Sequence, residues 1–168
     1  MKLEKPLHYK RILNIFEDER GFLNATSFNE LLSKIELSKI EIKYQLISKT
    51  KCMHTFRGFH YQDEPCLQKK IIFLHSGKIK DYIFPFNEPR KENVESFILE
   101  AGDVLIVPET YAHGFITLSD NVIIQYLMNN DYNEDLYKGI NGYKFVKNDL
   151  NIKDIIISEK DKSYQTKI

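Results

Sequence analysis

Tryptophan is absent from this chain of 168 residues, and cysteine, proline and glycine are scarce, with two, five and seven residues. Two cysteines, Cys52 and Cys66, are too few to staple a small secreted fold. We therefore expect free thiols in a reducing compartment. The sequence also contains no internal repeat and no low-complexity linker, so we expect one domain over residues 1–168.

An excess of one charge is also missing, because 24 basic residues balance 24 acidic ones and the formal net charge is zero. Such a chain has no overall attraction to nucleic acid or to an anionic membrane. An anionic ligand would need a local cluster of arginine and lysine. Residues 1–14 carry charges throughout, and no apolar run approaches the roughly 18 residues of a membrane span. We expect a soluble, cytoplasmic protein without a nucleic-acid or membrane partner.

Hydrophobic residues are plentiful: they make up 42% of the chain, with 10 tyrosines and 11 phenylalanines. One segment predicts a helix with Ser27 as its N-cap, because apolar residues recur near a period of 3.6 at Phe28, Leu31, Leu32, Ile35 and Leu37. Other apolar residues fall in short runs rich in β-branched and aromatic types, which are typical of strands. These runs are residues 42–47, 70–74, 78–85, 96–99, 104–107 and 122–128.

Short strands at regular spacing indicate a mainly β fold, either a closed antiparallel barrel or a jelly roll, with a few short helices. Residues 136–168 are more polar than the rest of the chain. They contain three consecutive isoleucines at 155–157, and we expect these to dock the C-terminal segment onto the core.

Two segments carry the candidate chemistry. Residues 57–62 read Arg-Gly-Phe-His-Tyr-Gln, and residues 108–115 read Pro-Glu-Thr-Tyr-Ala-His-Gly-Phe. Each sets one histidine, His60 or His113, among strand-forming residues beside a glycine and aromatics. A histidine on a rigid strand facing a pocket is a candidate general base or metal ligand. The alternative is that both are ordinary, partly buried residues of a barrel.

A metal site is the less favoured of these possibilities. Gly102, Pro108 and His113 follow the spacing G-x5-P-x4-H, which resembles the second motif of the cupin superfamily. The first motif of that superfamily needs histidines at i and i+2, and Gln62 occupies the second position here. Two histidines are too few for a typical site, although His54 and His75 remain possible additional ligands.

Five segments in order resemble the dTDP-4-dehydrorhamnose 3,5-epimerase family, over about residues 15–161. Residues 57–62 resemble its R-G-[LF]-H-[YF]-Q segment, and residues 108–119 resemble its P-x-G-F-A-H-G-F-x-x-L-S segment. The other three are Asp18-Glu19-Arg20-Gly21-Phe22, the strand that Lys70 opens before Gly77, and Ser158-Glu159-Lys160-Asp161.

The resemblance implies a cupin-type jelly roll that forms a homodimer and uses neither metal nor cofactor. It implies an epimerase that inverts C-3, C-5 or both in a nucleotide-linked 4-keto-6-deoxy sugar, for cell-surface polysaccharide or deoxysugar biosynthesis. Such a reaction removes a proton beside the ketone, forms an enolate and returns a proton on the other face. It needs a base, an acid on the opposite face and a cation or donor at the enolate oxygen.

The resemblance also assigns catalytic roles. His60 matches the base, Asp161 the carboxylate that orients it, and Lys70 the lysine near the keto oxygen. Tyr132 matches the acid, and Tyr126 is the reserve candidate for that role.

The resemblance further predicts substrate-binding residues. Arg20 and Arg57 match arginines that contact the diphosphate, for which the planar guanidinium is well suited. For Arg20 the alternative is a surface salt bridge with Asp18 or Glu19. Three further residues are expected to line the substrate pocket: Gln45, His113 and Asp81.

The chain departs from the family pattern mainly in the segments with which the family binds the nucleotide and the sugar. Asp131 replaces the first of two paired tyrosines, Ala25 replaces a glutamate, and the Q-x-N segment near the nucleotide is altered at Ile47 or Ser48. The tryptophan segments are missing. These departures indicate the same chemistry on a different substrate.

Two further alternatives remain open. A nucleotide-sugar 3,4-ketoisomerase is also cupin-like, but its usual R-G-x-H-A-H would need Ala-His where this chain has Tyr61-Gln62. Residues 131–135 do resemble that class. The other alternative is a non-catalytic cupin that binds a nucleotide sugar, which would have no need of the set His60, Lys70 and Asp161.

Overall fold

The computed structural model describes residues 4–37 and 39–168. In these ranges the chain forms strands β1 to β12, helices α1 to α3 and one 3-10 turn at Lys91–Asn93. The strands are β1 Leu7–Tyr9, β2 Ile15–Asp18, β3 Gly21–Asn24, β4 Tyr44–Thr50, β5 Phe56–Gln62, β6 Lys70–Ser76, β7 Lys78–Pro85, β8 Glu95–Glu100, β9 Val104–Val107, β10 Tyr111–Thr117, β11 Val122–Met128 and β12 Tyr137–Gly139. The helices are α1 Phe28–Lys34, α2 Tyr143–Asp149 and α3 Glu159–Ser163.

Ten strands form two antiparallel sheets of five. The first sheet has the order β1-β9-β6-β11-β4, and the second has the order β12-β5-β10-β7-β8. Strands β2 and β3 form a separate hairpin. This arrangement confirms the prediction of a mainly β, cupin-type jelly roll with a few short helices.

Strands β7, β9 and β11 have the predicted boundaries, because in each an uninterrupted run of strand-forming residues ends at a turn. Strand β4 lies further along the chain than predicted. Its ladder with β11 runs from the pair Tyr44–Met128 to the pair Thr50–Val122. Backbone pairing with β11 thus extends the strand through the polar residues Ser48 and Lys49. A prediction based on hydrophobic residues ends before them.

The two sheets face each other across an apolar core. Residues at alternate positions of the strands point into it, as the pleat requires, and they are among the most buried of the chain. This inter-sheet core includes Ile72, Leu74, Ile83, Leu105 and Ile124. At one end of the core, polar residues replace apolar ones and a cavity opens.

The outer face of each sheet has its own cover. Helix α1 packs on the first sheet through Leu31 and Leu32. Ser27 is the N-cap residue as predicted, but its side chain makes no capping hydrogen bond. On the second sheet, α2 and the C-terminal segment pack through a group of apolar side chains that includes Val146, Ile155 and Ile157.

The docking of the three isoleucines is therefore partly confirmed. The side chain of Ile156 is 53% exposed, while its backbone bridges to Thr55 beside β5. The backbone of Ile156 and the side chains of Ile155 and Ile157 hold this segment against the second sheet. Helix α3, which follows it, therefore lies next to β5.

An irregularity in the pairing of β5 with β10 shapes the site. The register shifts between the pairs His113–His60 and Phe115–Arg57, so β5 contains one extra residue there. Gly58 has a φ of +135°, and a Cβ added to it would lie 2.5 Å from the Cα of Gly114. Only glycine permits this close approach, which puts Arg57 and His60 on the same side of the sheet despite being three residues apart.

Candidate active site

A cavity of about 420 Å³ lies between the two sheets. The second sheet and α3 form one wall, and the first sheet forms the other. Its lining residues are Tyr44, Leu46, Ser48, Arg57, His60, Gln68, Lys70, His113, Phe115, Tyr126, Met128, Tyr132, Tyr137, Ser158, Lys160 and Asp161.

His60 and Asp161 form a pair in this cavity although they are 101 residues apart in the chain. The Nε2 atom of His60 lies 2.8 Å from Oδ1 of Asp161. Because an ionised carboxylate only accepts hydrogen bonds, Nε2 carries the proton and the lone pair is on Nδ1. The carboxylate therefore fixes the tautomer of the ring that a general base needs.

Helix α3 and β5 hold Asp161 in place. Ser158 caps the helix, with its Oγ accepting the Asp161 N–H at 3.1 Å, and the Gly58 N–H donates to Oδ2 of Asp161 at 3.2 Å. Burial alone raises the pKa of the Asp161 carboxyl, but hydrogen bonds from His60 and Gly58 outweigh burial and leave the pKa below its ordinary value. Asp161 is therefore ionised at neutral pH.

His113 lies directly opposite His60 in the ladder between β10 and β5. Its Nδ1 is 3.2 Å from Oδ2 of Asp81 on β7. Burial lowers the pKa of His113 despite the opposing effect of the Asp81 carboxylate. The ring is therefore neutral at physiological pH, and its Nδ1–H donates to Asp81.

Lys70 begins β6 and reaches the cavity from the first sheet, with only 7% of the residue exposed. Burial lowers the pKa of its ammonium group to about 8, while the nearby Asp81 carboxylate acts in the opposite direction. A buried cation of this kind can stabilise negative charge that develops on a substrate oxygen.

The two predicted candidates for the acid occupy different parts of the cavity. Tyr126 is on β11 in the first sheet and is 6% exposed, and burial raises the pKa of its phenol well above the ordinary value. Tyr132 is in the segment after β11 and is 41% exposed at the mouth. It stacks against Tyr44, with ring centroids 6.0 Å apart.

Among the predicted substrate-binding residues, Arg57 and His113 line the cavity. The Nε of Arg57 donates to Thr50 at 3.1 Å, which orients the guanidinium. Asp81 is fully buried behind His113 and does not line the cavity itself.

Arg20 and Gln45 lie outside the cavity of their own chain. Arg20 is on the β2–β3 hairpin, where it pairs with Asp18, as the surface alternative predicted. The hairpin packs on the outer face of the first sheet, since Phe22 stacks on His75. Gln45 points to that same outer face and accepts a hydrogen bond from Gln125 at 3.2 Å.

The prediction for Gln45 came from resemblance to the family's Q-x-N segment, which does not show which face of β4 the side chain takes. On β4 the cavity-facing positions are Tyr44, Leu46 and Ser48. The Ser48 hydroxyl is buried there with no hydrogen-bond partner among the described residues.

Sequence reasoning did not single out Tyr137 and Lys160, which line the cavity together with His60. The ring of Tyr137 on β12 lies 5.1 Å from the His60 ring, centroid to centroid. The Lys160 ammonium lies over the Tyr137 ring, 5.0 Å from its centroid. Lys160 was within reach of the sequence, because it is the lysine of the segment that contains Asp161. The sequence around Tyr137 contains no pattern that predicts a site residue. Strand β12 has only three residues, and its pairing with β5 defines it.

Within residues 4–37 and 39–168, no group of three or more His, Cys, Asp or Glu side chains is arranged to hold a metal ion. In the same ranges, none of the helices has the length and apolar character needed to cross a membrane.

The family profile described as dTDP-4-dehydrorhamnose 3,5-epimerase matches residues 8–167. The jelly roll and its enclosed histidine–carboxylate pair therefore belong to a cupin-type sugar-nucleotide epimerase, an isomerase. The chain belongs to this family, as its sequence segments predicted.

Individual relatives agree with the family assignment. The dTDP-4-dehydrorhamnose 3,5-epimerase of Shigella flexneri is 30% identical over 130 residues, which are 75% of this chain and 71% of the relative. The enzyme of Methanothermobacter thermautotrophicus is 27% identical over 163 residues, 90% and 84% of the two chains. A crystal structure of the Bacillus anthracis enzyme with TDP and PPi bound superposes with a TM-score of 0.74, at 25% identity and with 96% and 94% of the two chains covered.

Proposed function

We propose that this epimerase inverts C-3, C-5 or both in a nucleotide-linked 4-keto-6-deoxy sugar, with His60 as the base. One observation carries the proposal: the His60–Asp161 pair is on one wall of the cavity, and Tyr126 and Lys70 are on the opposite wall. The ring of a 4-keto sugar between these walls has a base on one face and an acid on the other. Inversion through an enolate requires this arrangement.

The first step is proton abstraction by His60. Nδ1 takes the proton from a carbon next to the ketone, and the electron pair of the C–H bond becomes the enolate. The ionised Asp161 stabilises the imidazolium that forms, through the 2.8 Å hydrogen bond to Nε2.

Lys70 stabilises the enolate. Its ammonium is desolvated, so its interaction with an oxyanion is stronger than it would be in water. Since the pKa of Lys70 is about 8, it is mostly protonated at neutral pH and able to play this role.

Tyr126 is the better supported acid of the two tyrosines. Tyr126 is buried inside the cavity, whereas Tyr132 is 41% exposed, and the strand of Tyr126 belongs to the sheet opposite His60. Protonation of the enolate carbon by Tyr126 on the face away from His60 completes the inversion. Tyr132, half exposed at the mouth, is better suited to contact the nucleotide.

The relatives support a dTDP-linked sugar as the substrate, since their names refer to dTDP-4-dehydrorhamnose. Besides Lys70, the cavity lining contains two cationic side chains, Arg57 and Lys160. These two can form charged hydrogen bonds to a diphosphate. Leu46 and Met128 line the first-sheet wall with apolar groups, so a sugar with few hydroxyl groups on that side is expected to bind best.

Incubation in D2O with a panel of nucleotide-linked 4-keto-6-deoxy sugars tests this function. We expect deuterium at one or both carbons beside the ketone, and an inverted product by NMR. A product whose ketone has moved to C-3 would identify a 3,4-ketoisomerase instead. Binding without any exchange would identify a non-catalytic cupin.

We also propose that the chain acts as one domain in a homodimer, in the cytoplasm. The two free cysteines support a reducing compartment. Exposed apolar side chains on the hairpin and on β4, the edge strand of the first sheet, support association: Phe16, Leu23 and Ile47. Arg20 lies on this hairpin with its side chain 83% exposed, so it can contact substrate only in the cavity of a second copy.

Mixing two inactive variants tests the contribution of Arg20 from a second copy. Arg20→Ala removes the arginine, and His60→Asn removes the base. A dimer with one chain of each kind has one intact site, so random mixing should restore about a quarter of the parent activity. Arg20 would have no such role if the mixture were as inactive as its components, or if light scattering gave a monomer.

A further inference from the structure

Gly139 lies directly opposite His60 where β12, the edge strand of the second sheet, pairs with β5. Side chains at opposite positions of an antiparallel pair stand next to each other on the same face, about 5 Å apart. The glycine therefore leaves the place beside the His60 side chain without a side chain from β12. Its φ is not positive, so the backbone conformation does not account for a glycine here.

The ring of Tyr164 fills this place. A Cβ added to Gly139 would collide with three atoms of that ring, Cε2, Cδ2 and Cζ, and even Cζ would be only 2.5 Å away. These three are the nearest heavy atoms to the added Cβ. The missing side chain of Gly139 is therefore what admits the tyrosine ring beside His60.

The chain is anchored on both sides of Tyr164. The buried side chain of Asn141 donates a hydrogen bond from Nδ2 to the carbonyl oxygen of Lys162 at 2.8 Å. The backbone N–H of Asn141 donates to the carbonyl oxygen of Gln165 at 3.0 Å. Because these two hydrogen bonds enclose Tyr164 in the sequence, they hold its ring in place over Gly139.

Tyr164 also contacts the His60 ring. The two ring centroids are 6.1 Å apart and the planes are inclined by 74°, a T-shaped arrangement that aromatic pairs favour. Tyr164 does not line the cavity, so it approaches the imidazole from the edge of the sheet and not from the substrate side. Its hydroxyl is buried without a hydrogen-bond partner among the described residues, so the ring provides the contact.

Asp161 lies three residues before Tyr164 and binds Nε2 of the same imidazole. We propose that Tyr164 is a positioning residue of His60: its ring holds the imidazole against Asp161 and shields the hydrogen bond between Nε2 and Oδ1 from water at the sheet edge. A hydrogen bond to a carboxylate is stronger where water is excluded. The proposal rests on the proposed function only for its effect on turnover, because the shielding exists without substrate.

Exchange of the His60 Nε2 proton with water tests the shielding directly. The proton would be followed by 1H–15N NMR at neutral pH and assigned by its absence in His60→Asn. We expect a resolved signal in the parent, exchange at least about tenfold faster in Tyr164→Ala, and rescue in Tyr164→Phe, which keeps the ring. Equal protection in the parent and in a folded Tyr164→Ala variant would overturn the proposal. So would a parent proton that exchanges too fast to be observed.

Gly139→Ala makes the same test without truncating the tyrosine. The added Cβ must displace the Tyr164 ring, so the Nε2 proton should again exchange faster. In a Tyr164→Ala background the Cβ has room, and Gly139→Ala should then change neither the exchange rate nor the urea midpoint further. Additive effects of the two substitutions would contradict the proposed contact.

Turnover gives a separate measurement. Tyr164→Ala should lower kcat about tenfold with KM nearly unchanged, since Tyr164 does not line the cavity. In an Asp161→Asn background, the same substitution should lower kcat less than about twofold, because the hydrogen bond that the ring shields is already lost. A tenfold loss in both backgrounds would mean a structural role only and would overturn the proposal.

Tyr143→Ala is the matched control for turnover. It removes a partly buried tyrosine of α2, which packs on the outer face of the second sheet, and kcat should stay within about twofold of the parent. A loss as large as that of Tyr164→Ala would show that any truncated tyrosine has this effect, against the proposal. An inactive parent would contradict the proposed function and leave the exchange measurement to decide about Tyr164.

Discussion

His60 and His113 are cross-strand partners in the ladder of β5 and β10, yet their carboxylate partners lie on different elements. Asp161 on α3 has a lowered pKa and stays ionised, so it accepts the hydrogen bond from Nε2 of His60 and leaves Nδ1 with its lone pair. Asp81 is buried, and burial raises its pKa while lowering that of His113. Two histidines in similar sequence surroundings are thereby assigned to different tasks, a base and a neutral pocket residue.

Replacing each tyrosine separately identifies the acid. Tyr126→Phe should lower the rate of inversion about 100-fold or more, because the proton donor opposite His60 is lost. Deuterium exchange with retained configuration should persist, since His60 can still remove and return a proton on its own face. Both rates come from 1H NMR in D2O.

Tyr132→Phe is the matched control for this experiment. The substitution is the same, but Tyr132 is half exposed at the mouth, so KM is expected to rise while kcat changes less than about threefold. The opposite outcome, with kcat lost in Tyr132→Phe and retained in Tyr126→Phe, would return the role of acid to Tyr132.

Asp161→Asn should reduce kcat by about 100- to 10,000-fold. The amide cannot stabilise the imidazolium, and it permits the other tautomer of His60. KM should change little, because the substitution alters neither Arg57 nor Lys160. A kcat within about threefold of the parent would show that His60 does not need this carboxylate.

The stability of Asp161→Asn should also depend on pH in a different way from that of the parent. Because the pKa of Asp161 is lower in the folded protein than its unfolded value of about 3.9, its ionised form stabilises the fold above that pH. The stabilisation is lost as pH falls through the lowered pKa. The parent should therefore exceed Asp161→Asn in urea midpoint at pH 6, and the difference should narrow toward pH 3. A difference independent of pH would point to packing rather than charge.

Gly58→Ala should destabilise the protein by about 2 to 4 kcal/mol and lower its activity, because a Cβ there collides with the backbone of Gly114. Gly102→Ala is the matched control. Gly102 also has a positive φ, +97°, but the nearest atom to its added Cβ would be the Cα of Arg11 at 3.5 Å, an ordinary contact. It should cost about 1 kcal/mol and leave kcat unchanged. Equal losses for the two variants, measured by urea unfolding, would contradict the role of the close approach.

Most of the longer strands and helix α1 could be predicted from sequence, and the shortest elements could not. Strands β7, β9 and β11 are continuous runs of β-branched and aromatic residues, so their pattern suffices. Strands β1 and β12 have three residues each and are defined by backbone pairing with β9 and β5. Helices α2 and α3 have seven and five residues in a polar segment, too short for a clear period.

Residues of the candidate site could be predicted only where they lie in segments that resemble the family. His60, Lys70 and Asp161 each lie in such a segment, but nothing local in the sequence pairs residues 101 positions apart. Gln45 faces away from the cavity of its own chain, because the register of β4 decides which face of the sheet a side chain takes. The burial of Asp81 behind His113 follows from the packing of two sheets, which the sequence pattern does not specify.

Deuterium incorporation by His60→Asn, compared with the parent on the same nucleotide-linked 4-keto-6-deoxy sugar, is the most direct test of the account. Asparagine is polar like histidine, although smaller, and it cannot act as a base at neutral pH. We expect exchange at the carbons beside the ketone to fall about 1,000-fold or more, with the substrate still bound and the urea midpoint preserved. Exchange at the parent rate in a folded His60→Asn variant would contradict the assignment of His60 as the base.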